Sequence, residues 1–302
     1  MNAPVHGMSW FEATARQRVA ALVDPGSFTE VLGPEAREMS PHLALFDLPA
    51  QFDDGVIIGR AMLGGRAVLL AAQEGRFMGG AFGEVHGAKL VGLLRAACET
   101  GRDVVILFDT GGVRLQEANA GELAIGEVMR AIVEARLAGI SVLGLIGGRA
   151  GCYGGGGLIA GCCSRLIVSE PGRIAVSGPE VIETNRGVEE FDSRDRAFIW
   201  RTMGGKHRYL IGGADVFVAD APEAFREAVI AELARHPALD LTVMEAEQAR
   251  LGRRLARFGT ATDGREVWQA LGIEAPAAVP GLGTDAFLAL AQIKRETADD
   301  AR

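Results

Sequence analysis

Cysteine comes in no metal-binding or redox arrangement in this chain: among Cys98, Cys152, Cys162 and Cys163 there is no CxxC pair. That excludes a zinc ribbon and a dithiol centre, and leaves buried, reduced thiols as the reading of all four. Positive charge is scarce as well. Lys and Arg total 31 against 39 Asp and Glu, a net charge of −8, so there is no basic surplus to neutralise a nucleic-acid backbone. Apolar runs are short: Val142–Ile146 and Leu166–Val168 are bounded by Gly, Ser or Arg, whereas a membrane span needs roughly 20 apolar residues. The opening MNAPVHGMSWFEATARQRVAAL has no signal-peptide core, and a reducing cytoplasm is the expected location. Aromatics make up only 6%, which predicts an aliphatic core. Finally, no GK[ST] follows any glycine cluster, which excludes a P-loop.

Glycine, by contrast, is abundant. There are 41 in 302 residues, about twice the usual share of roughly 7%, and they cluster without a repeating period, which excludes collagen and solenoid designs. Two clusters stand out. FDTGGVRLQE, Phe108 to Glu117, places a glycine pair at the end of one apolar run, and GGRAGCYGGGG follows another about forty residues later. Glycine lets the backbone turn sharply and bring N–H groups close to a ligand oxygen, which matters most where that oxygen gains negative charge during a reaction.

The spacing predicts an α/β fold. Trp10 to Leu22 reads as an amphipathic helix, a docking arm ended by Asp24-Pro25-Gly26. VIIGRAML and RAVLLAAQ, joined by Gly64-Gly65, read as a hairpin. A helix from Glu84 to Cys98 completes a strand-strand-helix unit. Val104–Phe108 and Ser141–Ile146 read as buried strands, with a helix of about 117–137 between them, and Arg165–Ser169 with Arg173–Val176 close the series. The glycines then lie at strand C-terminal ends, where parallel sheets collect ligands. Beyond Ser177 come a charged stretch, Glu180–Arg208, a strand near Val216, and helices at Pro222–Arg235, Leu241–Arg257 and Asp285–Arg295; residues 259–283 read as a connector. The expected organisation is a helical arm over 1–50, a main domain over 51–258, and a connector with a terminal helix over 259–302.

The run from Asp54 to Leu90, with FMGG and GEVHG, resembles the carboxyltransferase subunits of biotin-dependent acyl-CoA carboxylases, and Gly111 to Glu117 is similar to that family's GGxRxQE segment. More narrowly, FDTGGVRLQEANAGE, GRAGCYGGGGLIAG and SGPEVIETNRGVEEFDSRDRAFIWRTMGGKHRY resemble the beta subunit of biotin-independent malonate decarboxylase. That resemblance implies the crotonase-like (ClpP/crotonase) fold of repeated strand-strand-helix units. It also implies a gamma subunit supplying the facing half of the site, an acyl carrier protein subunit whose CoA-like prosthetic group carries the substrate, and an acyl transferase subunit that loads it. No cofactor bound covalently by this chain and no metal are expected. The implied reaction turns malonyl-S-acyl carrier protein into acetyl-S-acyl carrier protein through an enolate. The alternatives are carboxyl transfer from biotin to an acyl-CoA and a noncatalytic scaffold for the gamma subunit.

By the same resemblance, Gly111-Gly112 supplies one enolate-holding donor and Gly154-Gly155, at a helix start, another. Arg114 either supports the first turn, together with Gln116 and Glu117, or meets a substrate carboxylate. Tyr153 either donates a proton or packs at an edge. His207, beside Lys206 and Arg208, either meets a prosthetic-group phosphate or a partner-chain carboxylate, or belongs to a solvated basic patch. His86 reads as a helix-start hydrogen-bonding group rather than an acid or base; His6, His42 and His236 carry no function. Glu189-Glu190, Asp192 and Asp195 read as exposed charge. A dinucleotide reading of Gly155 to Ala160 fails, because the glycines lie too far beyond Ile146 and the following helix is too short.

Overall fold

The computed structural model describes residues 7–46 and 55–295. His6, the expected boundary at 50–51 and Asp54, which opens the carboxyltransferase-like run, lie outside them. The first helix, α1 (Ala15–Leu22), starts later than Trp10 because Thr14 and Gln17 close a capping box there. Trp10 instead stacks on Phe225 with ring centroids 4.2 Å apart. The buried face of α1 is Ala15, Arg18, Val19 and Leu22, so a charged residue takes part in the face that packs inward.

Strand β1 (Thr29–Val31) pairs with β2 (Val56–Leu63), which forms the expected hairpin with β3 (Arg66–Gln73). Gly64 and Gly65 both have positive φ, as a two-residue turn requires, and both N–H groups donate to the Asp24 carboxylate at 2.9 Å. Helix α2 (Glu84–Thr100) follows, then β4 (Val104–Phe108), α3 (Asn119–Leu137), β5 (Val142–Ile146), the two-residue β6 (Cys152–Tyr153) and α4 (Gly155–Cys162). After these come β7 (Arg165–Ser169), the short β8 (Ile174–Ala175), α5 (Pro179–Arg186), α6 (Arg196–Met203), α7 (Gly205–Leu210) and β9 (Val216–Val218). The chain ends with α8 (Pro222–Glu232), α9 (Leu241–Phe258), α10 (Gly264–Ala270) and α11 (Thr284–Lys294).

Among the described residues the main sheet has seven strands, in the order β1-β2-β3-β4-β5-β7-β9. The first three are antiparallel neighbours, and every pairing from β3 to β9 is parallel. Val104, Ile106 and Phe108 of β4 pack with α2 and α3 on one face, while Val105 and Leu107 pack with α1 and α8 on the other. Both faces are covered, which explains the uninterrupted apolar runs. Beyond the strand ends a second line of short parallel pairings, Phe82 with Val113, Thr110 with Cys152, and β6 with β8, knits the loops together. This is the α/β architecture expected from the strand-strand-helix reading.

Two expectations need correcting. The 259–283 segment is more than a connector: Asp263 caps α10, which buries Val267 and Trp268, and a 3-10 turn follows at Pro276–Gly281. Its Gly- and Pro-rich flanks hid a two-turn helix whose inward residues are few. The cysteines are not uniformly buried either. Cys152 and Cys163 are, but Cys98 is exposed and Cys162 half-buried, because Cys98 falls on the outer side of α2. Among the described residues no helix is long and apolar enough to cross a membrane.

Candidate active site

The glycine turns sit where β4 and β5 leave the sheet. β4 ends at Phe108, and the chain turns through Asp109 and Thr110 into Gly111-Gly112. Gly112 has φ +132°, and Phe82 N–H donates to its carbonyl at 2.8 Å. The second loop runs from Gly147 to Gly154, whose φ of +57° is left-handed, and delivers the chain into α4. Thr110 joins the two: its N–H donates to Gly151 O at 2.8 Å, and its carbonyl accepts from Tyr153 N–H at 3.0 Å.

These bonds bring the glycines into contact. A Cβ built on Gly154 would stand 3.3 Å from Gly112 Cα, and one on Gly112 would stand 3.9 Å from Gly154 Cα. The Gly154 position is the tighter of the two, and both have positive φ, which favours glycine. Of the two glycines in the first turn, Gly111 spends its N–H on Gly79 O at 2.8 Å, and Gly112 N–H is held by Thr110 Oγ1 at 3.2 Å. Val113 N–H, on the outer side of the Phe82 bridge, donates to none of the described residues. The donor best placed to be free in this turn is therefore Val113, with Gly112 in a long, weak bond; Gly111 serves the turn itself. On the second turn, the first N–H groups of α4 have no intrahelical acceptor, and no side chain caps them.

The three glycines that follow Gly154 also serve packing. A Cβ on Gly155 would meet Ile125 at 2.5 Å, on Gly156 Thr110 Cγ2 at 2.3 Å, and on Gly157 Ala175 O at 2.5 Å. Gly155 thus combines a helix-start N–H with close approach to α3.

Arg114 lies fully buried. Its guanidinium pairs with Glu117 at 3.1 Å and lies over the Phe77 ring at 5.3 Å, while Glu117 also accepts from Glu84 N–H. The arginine holds the loop, the first of its two readings, and it also lines the cleft on the outer side of the turn. Gln116 is exposed and lines a cleft of about 560 Å³ with Met78, Gly79, Gly111, Val113, Arg114 and Leu115, among others. Tyr153 is buried against Met203 and Ile199, and burial pushes its phenol above the usual value. It is therefore a neutral phenol at physiological pH, and its ring lies against Gly151 and under Arg173.

His207 is placed elsewhere. It lies in α7, buried, facing Trp268 with centroids 6.2 Å apart. Burial, reinforced by the nearby charges of Arg208 and Arg254, brings its pKa down to about 3. It is neutral across the functional pH range and contributes no positive charge to a phosphate site. Lys206 is also committed, to Glu170 at 2.8 Å and to the carbonyls of Pro280 and Leu282. The cation of this trio that lines the adjoining cleft, of about 1360 Å³, is Arg208, together with Arg254 and Arg186. His86 is buried, its Nε2 3.1 Å from Gln73 Nε2. Asp195, read as exposed charge, caps α6 by accepting from Phe198 N–H.

Reasoning from sequence passed over Asp109, Thr110 and Arg18. The signal for Asp109 was present: an acid ending a five-residue apolar strand is a buried charge that demands a partner. Arg18 on the inward face of α1 is that partner, 2.7 Å away. Among the described residues no cluster of His, Cys, Asp and Glu could hold a metal.

Residues 12–249 match the family described as the carboxyl transferase domain. The chain is 39% identical, over 94% of its length and 96% of the relative's, to the malonyl-S-ACP:biotin-protein carboxyltransferase of Malonomonas rubra. It is 31% identical over 67% of its length to the propionyl-CoA carboxylase beta chain of Saccharopolyspora erythraea, a longer protein of which it spans 36%. Among solved structures it is similar to a chain of a Pseudomonas malonate decarboxylase hetero-tetramer in complex with malonate, with 42% identity, a TM-score of 0.80, and 87% and 97% of the two chains covered. It also resembles a chain of the Pseudomonas malonate decarboxylase hetero-dimer, with 37% identity, a TM-score of 0.65, and 81% and 96% covered. The resemblance to malonate decarboxylase subunits carried by the motifs therefore holds over nearly the whole chain.

Proposed function

Since this chain belongs to the carboxyl transferase domain family, we propose that it is the beta subunit of a malonate decarboxylase. It acts on malonyl-S-acyl carrier protein together with a second, gamma chain of the same fold, in a complex that includes the acyl carrier protein and the transferase that loads it. The observation that supports this reading is the close approach of the Gly112 and Gly154 turns, which brings the two donor-bearing segments side by side.

The chemistry follows from where electrons go. When the carboxylate leaves as carbon dioxide, the carbon–carbon bonding pair moves into the thioester, and its oxygen becomes an enolate anion. Donors that fit the anion better than the neutral carbonyl lower the barrier, and a single such donor is worth roughly 3–4 kcal/mol. Val113 and Gly112 N–H from the first turn and the α4 start at Gly154-Gly155 from the second fill that role, the helix dipole adding to the second. Tyr153, a neutral phenol on the short strand that leads into Gly154, is the candidate for returning a proton to the enolate carbon. Gln116, at the cleft mouth, contacts the carrier's arm.

The test is release of carbon dioxide from a malonyl thioester by the purified complex, without biotin and in the presence of avidin. Activity under those conditions supports the proposal. A second reading has its own support: the Malonomonas relative is named as a transferase to a biotin protein, and it runs through the same enolate. Avidin-sensitive, biotin-dependent turnover would establish that reading instead.

A further inference from the structure

Asp109 has no part in the reaction as described so far, yet it is the most heavily anchored side chain at the junction of the two turns. It is 3% exposed. Its Oδ2 accepts from Arg18 at 2.7 Å and its Oδ1 from Ala150 N–H at 2.6 Å, while its own N–H donates to Gln73 Oε1 at 3.0 Å. Three segments distant in sequence meet on one residue: α1, the end of β3, and the loop that delivers the second glycine turn. Arg18 is itself fixed, donating from Nε to Trp10 O at 2.9 Å.

The surroundings are cut to admit this carboxylate. A Cβ on Gly75 would lie 2.6 Å from the Asp109 carboxyl carbon, and one on Gly148 would lie 2.3 Å from it. Gly80, at φ +68°, passes so close to the Asp109 carbonyl that a Cβ there would stand 1.7 Å from its oxygen. A buried carboxylate needs compensation for lost hydration, a cost that an apolar residue at a packed strand end would avoid. Here the carboxylate has a specific use: its backbone leads into Gly111-Gly112, and one of its oxygens holds the backbone leading into Gly154.

We propose that Asp109, neutralised by Arg18, is a positioning residue that sets the first glycine turn against the second and so fixes the spacing of their backbone donors. The proposal rests on the decarboxylase reading for its chemical meaning, but the geometry it asserts is independent of that reading. It also makes α1 part of the site's framework. Asp109 touches no substrate, so its effect belongs on turnover rather than on binding.

Two double variants in the assembled complex test this. Arg18→Met with Asp109→Ala removes both charges and the acceptor for Ala150 N–H; Arg18→Met with Asp109→Asn removes both charges but keeps an acceptor. Removing the charges together avoids stranding a buried guanidinium. The alanine pair is expected to lose at least thirtyfold in kcat with KM changed less than threefold, and to speed amide hydrogen exchange over residues 150–156 at least tenfold. The asparagine pair is expected to recover at least tenfold of the lost kcat and most of the exchange protection. Equal behaviour of the two pairs, unchanged exchange over 150–156, or a loss carried by KM would overturn the proposal. Should exchange respond as stated while the wild-type complex releases no carbon dioxide from a malonyl thioester, the decarboxylase reading fails and the positioning role stands.

Discussion

The first glycine turn and the second use the same residue for different ends. At Gly111-Gly112 the missing side chains let the chain reverse while its carbonyl and amide groups stay hydrogen-bonded to Phe82, Gly79 and Thr110. At Gly155 to Gly157 the helix is already under way, and the glycines let it press against Ile125, Thr110 and Ala175 on successive sides. The first turn is shaped by its hydrogen bonds and the second by contact distance. A run of glycine therefore says that something comes close, and only the neighbours say whether that is a ligand or the protein itself.

The largest effect that can break this contrast comes at the junction. Gly154→Ala puts a methyl group 3.3 Å from Gly112 Cα in a left-handed position and is expected to lower kcat by about 100-fold. Carbon dioxide release measured on complex of wild-type size by gel filtration checks it; wild-type turnover would remove the junction from the chemistry. Gly156→Ala lies just beyond, but its methyl would meet Thr110 Cγ2 at 2.3 Å. Here stability is expected to fall by about 1–3 kcal/mol, read by denaturant unfolding, with kcat per folded site reduced far less.

Away from the turns the expected effects are smaller or appear only in acid. His207 has its folded pKa lowered to about 3 from an unfolded value near 6.5. Between those values the unfolded chain binds a proton that the native chain does not, so stability falls as pH drops from 6.5 toward 3. His207→Gln should flatten that acid limb, with little change in kcat at neutral pH; an unaltered slope of stability against pH would contradict the burial argument. Tyr153→Phe is the smallest change proposed, a loss of about tenfold in kcat with KM preserved. Full activity would reduce Tyr153 to the edge-packing role that its contacts with Met203 and Ile199 also allow.

Much of the fold could be read directly. The hairpin, β4 and β5, and the helices α2 and α3 follow from apolar period and Gly punctuation, because each buries a complete face. What escaped was either short or supported by distant partners. Helix α10 has only two turns, and the start of α1 is set by the Thr14–Gln17 capping box rather than by its apolar residues. The site was legible as two turns but not as a set of free donors. Nothing local in DTGG says that Gly111 N–H will find Gly79 O, or that Val113 will face outward, since both depend on a pairing with Phe82 some thirty residues earlier. The Arg18–Asp109 pair was hidden for the same reason: its members are 91 positions apart.

Both margins of the main sheet are three-residue strands, β1 and β9. So short a border offers a neighbouring chain very little backbone to pair with, and a sheet trimmed in this way does not grow by adding strands from other molecules. Under the subunit reading proposed above, association with other chains would be directed to side-chain surfaces, where fit is selective, and away from main-chain pairing, which accepts almost any extended segment.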